Sequence, residues 1–390
     1  MINQKQQLST TLAHLSALVS FDTQNPPKAI TPESEIFSYL IENLDGFEFE
    51  FIDAGNGSIC LLAQRGKPEL LFNFHIDTVP VTQGWLKNPF ELEITNSKAV
   101  GLGACDIKGA SACMLTAVNQ CQGDIALLFS SDEEHGSSEA VKAFLKQNTL
   151  SNKNPVFKQV VVAEPTQAKA ITAHRGIQTA EAVFQGVAGH ASEIRAHTDN
   201  AIHRAASWIT QSLEWINNQP FHFKNLSGLP FNVGTIEGGI KANMIAAEAT
   251  LKFGFRPLPG QCENQLLSFL ASESVVAETA NFVSLKKGFN GPALPAANQD
   301  FENALKLATS LAESLDLEVG EPVNFWTEAS LFSHGGATAL VFGPGDIQQA
   351  HTANEWVALE QLAIVEKTYI NILKKIANQS FKVIEGNNHD

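Results

Sequence analysis

The sequence predicts an α/β fold, in which a mixed and mostly parallel β-sheet is covered by helices and a smaller α+β domain is inserted. The first observation is a set of short, predominantly apolar runs, as in strands covered on both faces of a parallel sheet. The second is that helical patterns lie between these runs. The runs are residues 70–74, 125–129, 160–163 and 338–342, and the helical patterns include 109–118 and 138–146.

A change of pattern in the middle of the chain indicates the inserted domain. Alternating strand-like stretches at residues 178–184, 231–236 and 248–255 enclose helical stretches around 200–216 and 261–273. A chain of 390 residues also exceeds the usual size of a single domain. We therefore predict a discontinuous first domain over residues 1–173 and 286–390, and an inserted domain over residues 174–285.

Composition and charge exclude several classes of partner. The formal net charge of -15 leaves no basic surface for nucleic acid or for an anionic membrane, so neither is expected as a partner. The five cysteines are odd in number and contain no C-x-x-C pair, which argues against a disulfide framework or a thiolate zinc site. This cysteine pattern fits a reducing compartment.

The amino-terminal segment has the spacing of a helix. Leu8, Leu12, Leu15 and Val19 recur at helical intervals, unlike the continuous apolar core of a signal peptide. No apolar stretch reaches the length needed to span a bilayer. We therefore expect a soluble, cytoplasmic protein.

Side chains able to bind a metal ion follow each predicted buried strand. In open α/β sheets ligands gather beyond the carboxyl ends of the strands, so residues distant in sequence can share one site. A further carboxylate, Asp106, lies in a glycine-rich turn before a helix, a place that suits a bridging ligand. The residues after the strands are His75, Asp77, Asp132, Glu133, Glu134, Glu164 and His351.

Each of these residues also has an ordinary structural explanation. His75 and His351 could be core or surface histidines, and the acidic triplet at residues 132–134 could be a solvated loop. Glu164 could cap a turn, and Asp106 could form an Asx turn. Their common position at strand ends of one sheet favours a shared site.

Five short strings resemble the M20 family of co-catalytic metallopeptidases and deacylases, in the order found in that family. They are H-I-D-T-V-P at residues 75–80, G-A-C-D-I-K-G at 103–109, S-D-E-E at 131–134, A-E-P-T at 163–166 and Q-A-H-T at 349–352. The resemblance implies two divalent metal ions per chain, Zn²⁺ or Co²⁺. It implies that Asp106 bridges the ions, with His75 and Glu164 completing one site and Glu134 and His351 the other.

The resemblance also assigns roles around the metal ions. Glu133 is implied to be the general base, which takes a proton from water and returns it to the leaving amine. Asp77 is implied to orient His75 through its carboxylate. Asp132 is the second candidate for the base. His135, which stands where the family commonly has a small apolar residue, leaves the ligands intact.

The inserted domain carries a second set of residues that match the family. His190, in G-V-A-G-H-A-S at residues 186–192, is implied to reach the partner subunit's site in a homodimer formed through the inserted domain. Asn243 and Arg256 match positions that bind the substrate carboxylate, which suits the planar fork of arginine. The alternatives are a turn histidine for His190 and a surface ion pair for Arg256.

The choice within the family rests on further strings. Glu164 rather than aspartate in A-E-P-T is similar to the deacylase branch. The strings N-F-W-T-E-A-S at residues 324–330 and G-P-G-D-I-Q-Q-A-H-T at 343–352 are similar to acetylornithine deacetylases and most closely to acetylcitrulline deacetylases of arginine biosynthesis. Gly343 and Gly345 are implied to form a backbone cradle for the substrate. Glu328 would sense the far end of its side chain or, alternatively, serve as a buried structural hydrogen-bond acceptor.

These observations lead to an expected activity. We expect removal of the N-acetyl group from a small N-acyl amino acid, with N2-acetyl-L-ornithine favoured on the breadth of its pathway and N-acetyl-L-citrulline kept beside it. A succinyl-diaminopimelate desuccinylase or a dipeptidase would use the same metal ions with another pocket. A silent metal-binding protein is the alternative outside enzymes, but such a protein would have lost a ligand or the base, and none is lost here.

Overall fold

In a computed structural model of the protein, the described residues are 4–27, 30–150, 157–272, 282–298, 300–381 and 384. They form two compact units. Unit one comprises the described residues of Met1–Thr172, Glu302–Gly320 and Thr327–Asp390, and unit two those of Ala173–Phe301 and Glu321–Trp326.

The first part of unit one alternates helices and strands, and a short π-helical turn at Ala104–Lys108 precedes its fourth helix. The elements are α1 Gln4–Gln7, α2 Ser9–Ser20, α3 Glu35–Glu42, β1 Glu48–Asp53, β2 Ile59–Arg65, β3 Leu70–His75, β4 Glu93–Ile94, β5 Lys98–Val100, α4 Gly109–Gln120, β6 Ile125–Ser130, α5 Glu139–Leu150 and β7 Gln159–Val162.

Unit two follows, and the chain then returns to unit one. The elements of unit two are β8 Ile177–Gln185, β9 Gly189–His190, α6 Ala201–Asn217, β10 His222–Phe223, β11 Leu226–Ser227, β12 Phe231–Gly238, β13 Met244–Ile245, β14 Glu248–Phe255, α7 Glu263–Leu270 and β15 Phe282–Gly291. Those of the returning segment are α8 Phe301–Ser314, α9 Ala329–His334, β16 Thr338–Val341, β17 Trp356–Ala358 and α10 Leu359–Ala377.

The main sheet of unit one has the strand order β1-β2-β6-β3-β7-β16. Strands β6, β3, β7 and β16 are mutually parallel, whereas β1 and β2 pair antiparallel. Every residue of β3 and β6 is buried, as the apolar runs predicted for strands covered on both faces. The predicted mixed, mostly parallel sheet is therefore confirmed, and each of its four predicted strands is present within one residue of its predicted ends.

Helices supply the remaining core of unit one. Helix α4 packs against α2 and α10, while α5 and α9 contact each other and strands of the sheet. The amino-terminal pattern predicted as a helix forms α2, which buries Leu12, Leu15 and Val19. None of the helices in the described ranges is long and apolar enough to cross a membrane.

Unit two contains an antiparallel sheet with the order β12-β14-β8-β15. Burial alternates along β8 and β14, which is typical of a sheet with one covered face. Helix α6 contacts this sheet, and its Trp208 packs on Phe253 with ring centroids 4.9 Å apart. The helix predicted near residues 261–273 is α7, and its predicted last residue, Glu273, lies outside the described residues.

A candidate metal centre at the carboxyl ends of the strands

The chain in unit one places metal-binding side chains at one edge of the main sheet. His75 is the last residue of β3, Glu164 follows the end of β7 by two residues, and Glu134 lies in the turn after β6. His351 follows β16, and Asp106 lies in the turn before α4. Because β3, β6, β7 and β16 run parallel, their carboxyl ends meet at this edge.

His75, Asp106 and Glu164 form the first group that could hold a metal ion. Nε2 of His75 lies 3.0 Å from Oδ1 of Asp106 and 4.0 Å from Oε2 of Glu164. One ligand atom from each residue lies within 4.8 Å of the others, and all three residues are buried. This combination of imidazole and carboxylate ligands is one that Zn²⁺ accepts.

Asp106, Glu134 and His351 form a second group of the same kind. Nε2 of His351 lies 2.8 Å from Oε1 of Glu134 and 3.4 Å from Oδ2 of Asp106. Asp106 therefore belongs to both groups and offers a different oxygen to each imidazole. This is the geometry expected of a carboxylate that bridges two ions.

The pKa shifts of residues in both ligand groups reflect the negative charge gathered there. Burial, with a contribution from Asp106, raises the pKa of Glu164 well above its usual range, and burial likewise raises the pKa of Glu134. Hydrogen bonds to Asp106 and Glu134 raise the pKa of His351 to about 11. These directions indicate a surplus of acceptors that nearby positive charge would stabilise.

One carboxylate oxygen of the first group lies where a cation would be favourable. Oε1 of Glu164 is buried and has no hydrogen-bond partner among the described residues. A buried carboxylate oxygen without a partner costs free energy unless a proton or a cation satisfies it. The donor set thus fits divalent ions at both groups, with Asp106 shared.

Glu133 lies beside these groups but belongs to neither. Its backbone N–H donates to Oδ1 of Asp77 at 3.3 Å, and no hydrogen bond to its carboxylate occurs within the described part of the chain. Burial, and then the neighbouring Glu134, raise the pKa of the Glu133 carboxyl well above its usual range. A carboxylate without other hydrogen bonds and with a raised pKa is suited to general acid–base chemistry near neutral pH.

Asp77 contacts both the ring of His75 and the turn that carries the two glutamates. Nδ1 of His75 lies 3.0 Å from the backbone carbonyl oxygen of Asp77, whereas the Asp77 carboxylate is 3.6 Å from Nδ1. That carboxylate is fully buried and accepts a hydrogen bond from the N–H of Glu134 at 3.0 Å. The shorter contact to the ring of His75 thus comes from the backbone carbonyl of Asp77, and the carboxylate lies near both the ring and the turn after β6.

Asp132, the second candidate for the base, is occupied as a helix cap. Its carboxylate accepts hydrogen bonds from the backbone N–H of Glu139 at 2.7 Å and of Ala140 at 3.3 Å, at the start of α5. The hydroxyl of Ser137 also donates to it at 3.1 Å. These bonds satisfy N–H groups that a helix leaves unpaired, which leaves Glu133 as the better placed base.

Glu355 is a residue of the site that sequence reasoning missed. It is buried, and its carboxylate accepts hydrogen bonds from the backbone N–H groups of Gly103, Cys105 and Asp106. It does not follow a predicted buried strand, so the rule that found the other residues passes over it. The available signal was an acidic residue four positions after His351 and directly before the strand β17.

Glu328 directly precedes α9, and its carboxylate contacts two strands of the main sheet. Its Oε2 accepts hydrogen bonds from Asn73 of β3 and Ser130 of β6, each at 2.8 Å. It is 1% exposed, and burial raises the pKa of its carboxyl to about 7. These contacts match the alternative stated from the sequence, a buried structural acceptor.

Gly343 and Gly345, the glycines of the expected backbone cradle, make close contacts within unit one. The N–H of Gly343 donates to Oγ1 of Thr166 at 3.0 Å, and that of Gly345 donates to Oε1 of Gln361 at 2.5 Å. A Cβ on Gly343 would lie 2.7 Å from the carbonyl oxygen of Glu164. Both N–H groups are thus occupied, because the segment packs closely on the turn that carries Glu164.

Within unit two, a two-stranded ribbon brings His190 and Asn243 close together. His190 lies on β9 and pairs with Met244 of β13, and the carbonyl oxygen of Asn243 accepts a hydrogen bond from the N–H of Ala191 at 3.1 Å. His190 is exposed, and its Nδ1 lies 2.8 Å from the hydroxyl of Ser192. Both side chains are thus presented on the surface of the unit.

Arg256 follows directly after β14 and is partly buried. Burial lowers the pKa of its guanidinium. No acidic side chain in the described ranges forms an ion pair with it, so the surface ion pair considered from the sequence is not formed in those ranges. A partly desolvated guanidinium of this kind is suited to binding a carboxylate.

The chain is similar to known peptidases and deacetylases over most of its length. The model of Peptidase family M20/M25/M40 matches residues 71–375. The chain is 46% identical to an N-acetyl-L-citrulline deacetylase of Xanthomonas campestris pv. campestris, over 96% of this chain and 99% of that protein. It is 31% identical to an acetylornithine deacetylase of Myxococcus xanthus, over 91% of this chain and 94% of that protein.

Solved structures share the fold at lower identity. A Bacillus subtilis protein described as a dinuclear metal binding peptidase from the M20 family superposes with a TM-score of 0.63 at 14% identity. The match covers 96% of this chain and 99% of that chain. The likeness extends over both units as a fold and carries no residue roles by itself.

Proposed function

The chain belongs to peptidase family M20/M25/M40 and is a metal-dependent amide hydrolase, and from this premise we propose that it deacetylates an N2-acetyl amino acid of arginine biosynthesis. The products are acetate and the free amino acid. We place N-acetyl-L-citrulline first and N2-acetyl-L-ornithine second. The observation that carries this order is the 46% identity to an acetylcitrulline deacetylase, against 31% to an acetylornithine deacetylase. The order expected from the sequence, which rested on the breadth of the pathway, is thereby reversed.

We propose that the two groups around Asp106 hold two divalent ions, Zn²⁺ or Co²⁺. The observations in support are the two clusters that share Asp106 and the buried, unpartnered Oε1 of Glu164. His75 and Glu164 hold one ion, and Glu134 and His351 hold the other. When bound, such a pair of ions polarises the amide carbonyl and makes hydroxide available near neutral pH.

The residues of the chain supply the proton transfers and the orientation. Glu133, whose carboxylate has no hydrogen bond in the described ranges, accepts the proton of the attacking water and returns it to the leaving nitrogen. The Asp77 carbonyl accepts the Nδ1–H of His75, which leaves the Nε2 lone pair facing Asp106. The Asp77 carboxylate fixes Glu133 and Glu134 through their backbone N–H groups.

Unit two corresponds in this proposal to the inserted domain, which recognises the substrate carboxylate and forms the homodimer. Arg256 and Asn243 bind the α-carboxylate, and His190 serves the partner subunit's centre. Support for the dimer comes from β12, which lies at the edge of its sheet and exposes 49% of Ile236. An unpaired edge strand with an exposed apolar side chain is a ready surface for another copy of the chain.

We also place the protein in the cytoplasm. All five cysteines are free, and four of them are buried where oxidation to a disulfide would require rearrangement of the core. Biosynthetic deacetylation of an amino acid is a reaction of that compartment as well.

Steady-state kinetics on a panel of N-acyl amino acids tests the proposal. The panel contains N-acetyl-L-citrulline, N2-acetyl-L-ornithine, N-succinyl-diaminopimelate and an unblocked dipeptide, each with Zn²⁺-loaded and Co²⁺-loaded protein. The two acetylated substrates should differ clearly in kcat/KM, because a site built for a specific hydrogen bond or charge discriminates strongly. Faster turnover of the succinyl compound or of the dipeptide would overturn the deacetylase assignment while leaving the metal centre in place.

A further inference from the structure

The turn that carries Asp106 is folded around the carboxylate of Glu355. Oε1 of Glu355 accepts hydrogen bonds from the backbone N–H of Cys105 at 2.8 Å and of Asp106 at 3.0 Å. Oε2 accepts one from the N–H of Gly103 at 3.0 Å. Glu355 is 1% exposed, so these bonds form away from solvent.

Internal backbone hydrogen bonds hold only part of this turn: the N–H of Lys108 donates to the carbonyl oxygen of Gly103 at 2.8 Å, whereas the N–H groups of Gly103, Cys105 and Asp106 donate to Glu355. Asp106 (φ -122°, ψ 87°) and Ile107 (φ -140°, ψ 23°) depart from helical geometry, and Gly103 has a left-handed φ of 73°. A Cβ at Gly103 would approach Cγ2 of Thr78 to 2.6 Å, so the turn depends on glycine there. Buried N–H groups require acceptors, and Glu355 supplies them for residues 103, 105 and 106.

The position of Glu355 is itself fixed from two sides. Trp356, the next residue, begins β17 and pairs with Val100 of β5. The carbonyl oxygen of Glu355 accepts a hydrogen bond from the N–H of Gly101 at 3.0 Å. Glu355 also stands four residues after His351 in the same connection. The segment of residues 351–355 therefore provides a candidate metal ligand, His351, and also the acceptor, Glu355, that holds a second candidate ligand, Asp106.

We propose that Glu355 is a positioning residue of the metal centre, which orients Asp106 so that Oδ1 lies beside His75 and Oδ2 beside His351, where the two ligand groups would hold metal ions. The inference rests on the proposed function, because it takes Asp106 to be the shared ligand. Glu355 does not contact the ions in this arrangement. Its replacement leaves every ligand in the chain and changes only how firmly the shared one is held.

Cobalt titration of apoprotein followed by visible absorption and elemental analysis tests this role. Glu355→Gln keeps the volume of the side chain but replaces one acceptor oxygen with an NH₂ group. At least one of the backbone N–H groups that now donate to Glu355 would then face this NH₂ group and lose its acceptor. We expect roughly a 10–100-fold loss of Co²⁺ affinity, as for other residues that support a ligand. We also expect a matching fall in kcat at subsaturating metal, partly restored by excess Co²⁺, with KM nearly unchanged.

Glu366→Gln is the matched control, because Glu366 is a partly buried glutamate of α10 that accepts a hydrogen bond from Thr11 at 2.5 Å. It should bind Co²⁺ as the wild type does. Glu355→Asp, which keeps the charge but is shorter by a methylene, is the second variant and should show an intermediate loss.

The outcomes separate the inference from the proposed function. A merely structural role for Glu355 would lower the unfolding temperature of the apoprotein and leave the affinity and spectrum of bound Co²⁺ unchanged. Either Glu355 variant, recovered folded and with wild-type Co²⁺ affinity, overturns the inference. Wild-type protein that binds no Co²⁺ overturns the proposed metal centre instead.

Discussion

The backbone carbonyl of Asp77 lies 3.0 Å from Nδ1 of His75, while the Asp77 carboxylate stands 3.6 Å from the same atom. The shorter contact to the imidazole comes from the main chain, and the carboxylate also holds another part of the centre. It accepts hydrogen bonds from the N–H groups of Glu133 and Glu134 at 3.3 and 3.0 Å. Asp77 thus links the strand end that carries His75 to the turn that carries the base.

This arrangement predicts a specific phenotype for Asp77→Asn. The variant keeps the carbonyl that faces His75 but presents an amide NH₂ to one of the two backbone N–H groups. The turn that carries Glu133 should shift, and kcat should fall by roughly 10–100-fold. Metal content, measured by elemental analysis, should stay at the wild-type level.

Asp53→Asn is a suitable control for this change, because the Asp53 carboxylate also accepts a backbone N–H, from Gly55 at 2.7 Å, but in an exposed turn. The control should retain wild-type kcat. Loss of metal from Asp77→Asn would contradict the prediction and would return the carboxylate to the role of orienting His75.

Glu133 is predicted to transfer protons without holding a metal ion. Glu133→Ala should reduce kcat by roughly 10²–10⁴-fold, the usual contribution of a general acid–base group. Its metal content should be normal, since neither ligand group includes Glu133. Glu139→Gln, which changes an exposed glutamate paired with Lys142 at 2.9 Å, serves as the control. Near-full turnover by Glu133→Ala would show that the base lies elsewhere.

Removal of the metal ions is predicted to abolish activity and to lower stability. A chelator should reduce turnover to background, and Zn²⁺ or Co²⁺ at about two ions per chain should restore it. Ions that bind only the folded state stabilise it by about 2.7 kcal/mol at a concentration 100 times their Kd, so thermal unfolding should shift upward on reloading. Activity that persists unchanged in chelator, in protein free of metal by elemental analysis, would exclude the centre.

The sequence was sufficient for the parts of the fold that repeat a simple pattern. Predominantly apolar runs identified β3 and β6, because strands covered on both faces are buried along their whole length. The rule that ligands follow parallel strands then selected His75 and Glu164, whose positions depend only on where a strand ends.

The remaining features depend on how particular turns fold, which periodicity does not encode. Glu355 acts through backbone N–H groups of a non-helical turn, so its importance depends on dihedral angles at residues 103–107. Asp77 has the expected neighbour, His75, but its carboxylate also accepts hydrogen bonds from the N–H groups of Glu133 and Glu134, which the sequence did not indicate. Glu328 occupies a position that the family resemblance linked to the substrate side chain. Its hydrogen bonds to Asn73 and Ser130 depend on the register of the strands, which periodicity does not show. The boundaries of the inserted domain and the dimer stay predictions.

Sharing of His190 between subunits predicts complementation. Glu133→Ala and His190→Ala chains should each be nearly inactive alone. In an equal mixture that exchanges subunits at random, half of the dimers are hybrids, and each hybrid has one intact centre out of two. Mixing should therefore restore about a quarter of wild-type activity. His197→Ala, which changes another exposed histidine of unit two, is the control and should remain active without mixing. Failure to complement, in a mixture shown to exchange subunits, would count against sharing.

Arg256 is predicted to bind the substrate α-carboxylate, because it is partly buried and without an acidic partner in the described ranges. Arg256→Leu should lower kcat/KM by roughly 10–150-fold, the value of a hydrogen bond to a charged group of about 1.5–3 kcal/mol. The wild type should prefer N-acetyl-L-citrulline over its α-carboxamide, and Arg256→Leu should lose that preference, since the group that distinguishes the two is gone. Arg204→Leu, which removes a guanidinium bonded to the carbonyl oxygens of Thr198 and Gln185, is the control and should keep it. An unchanged preference in Arg256→Leu would mean that another group of the protein reads the carboxylate.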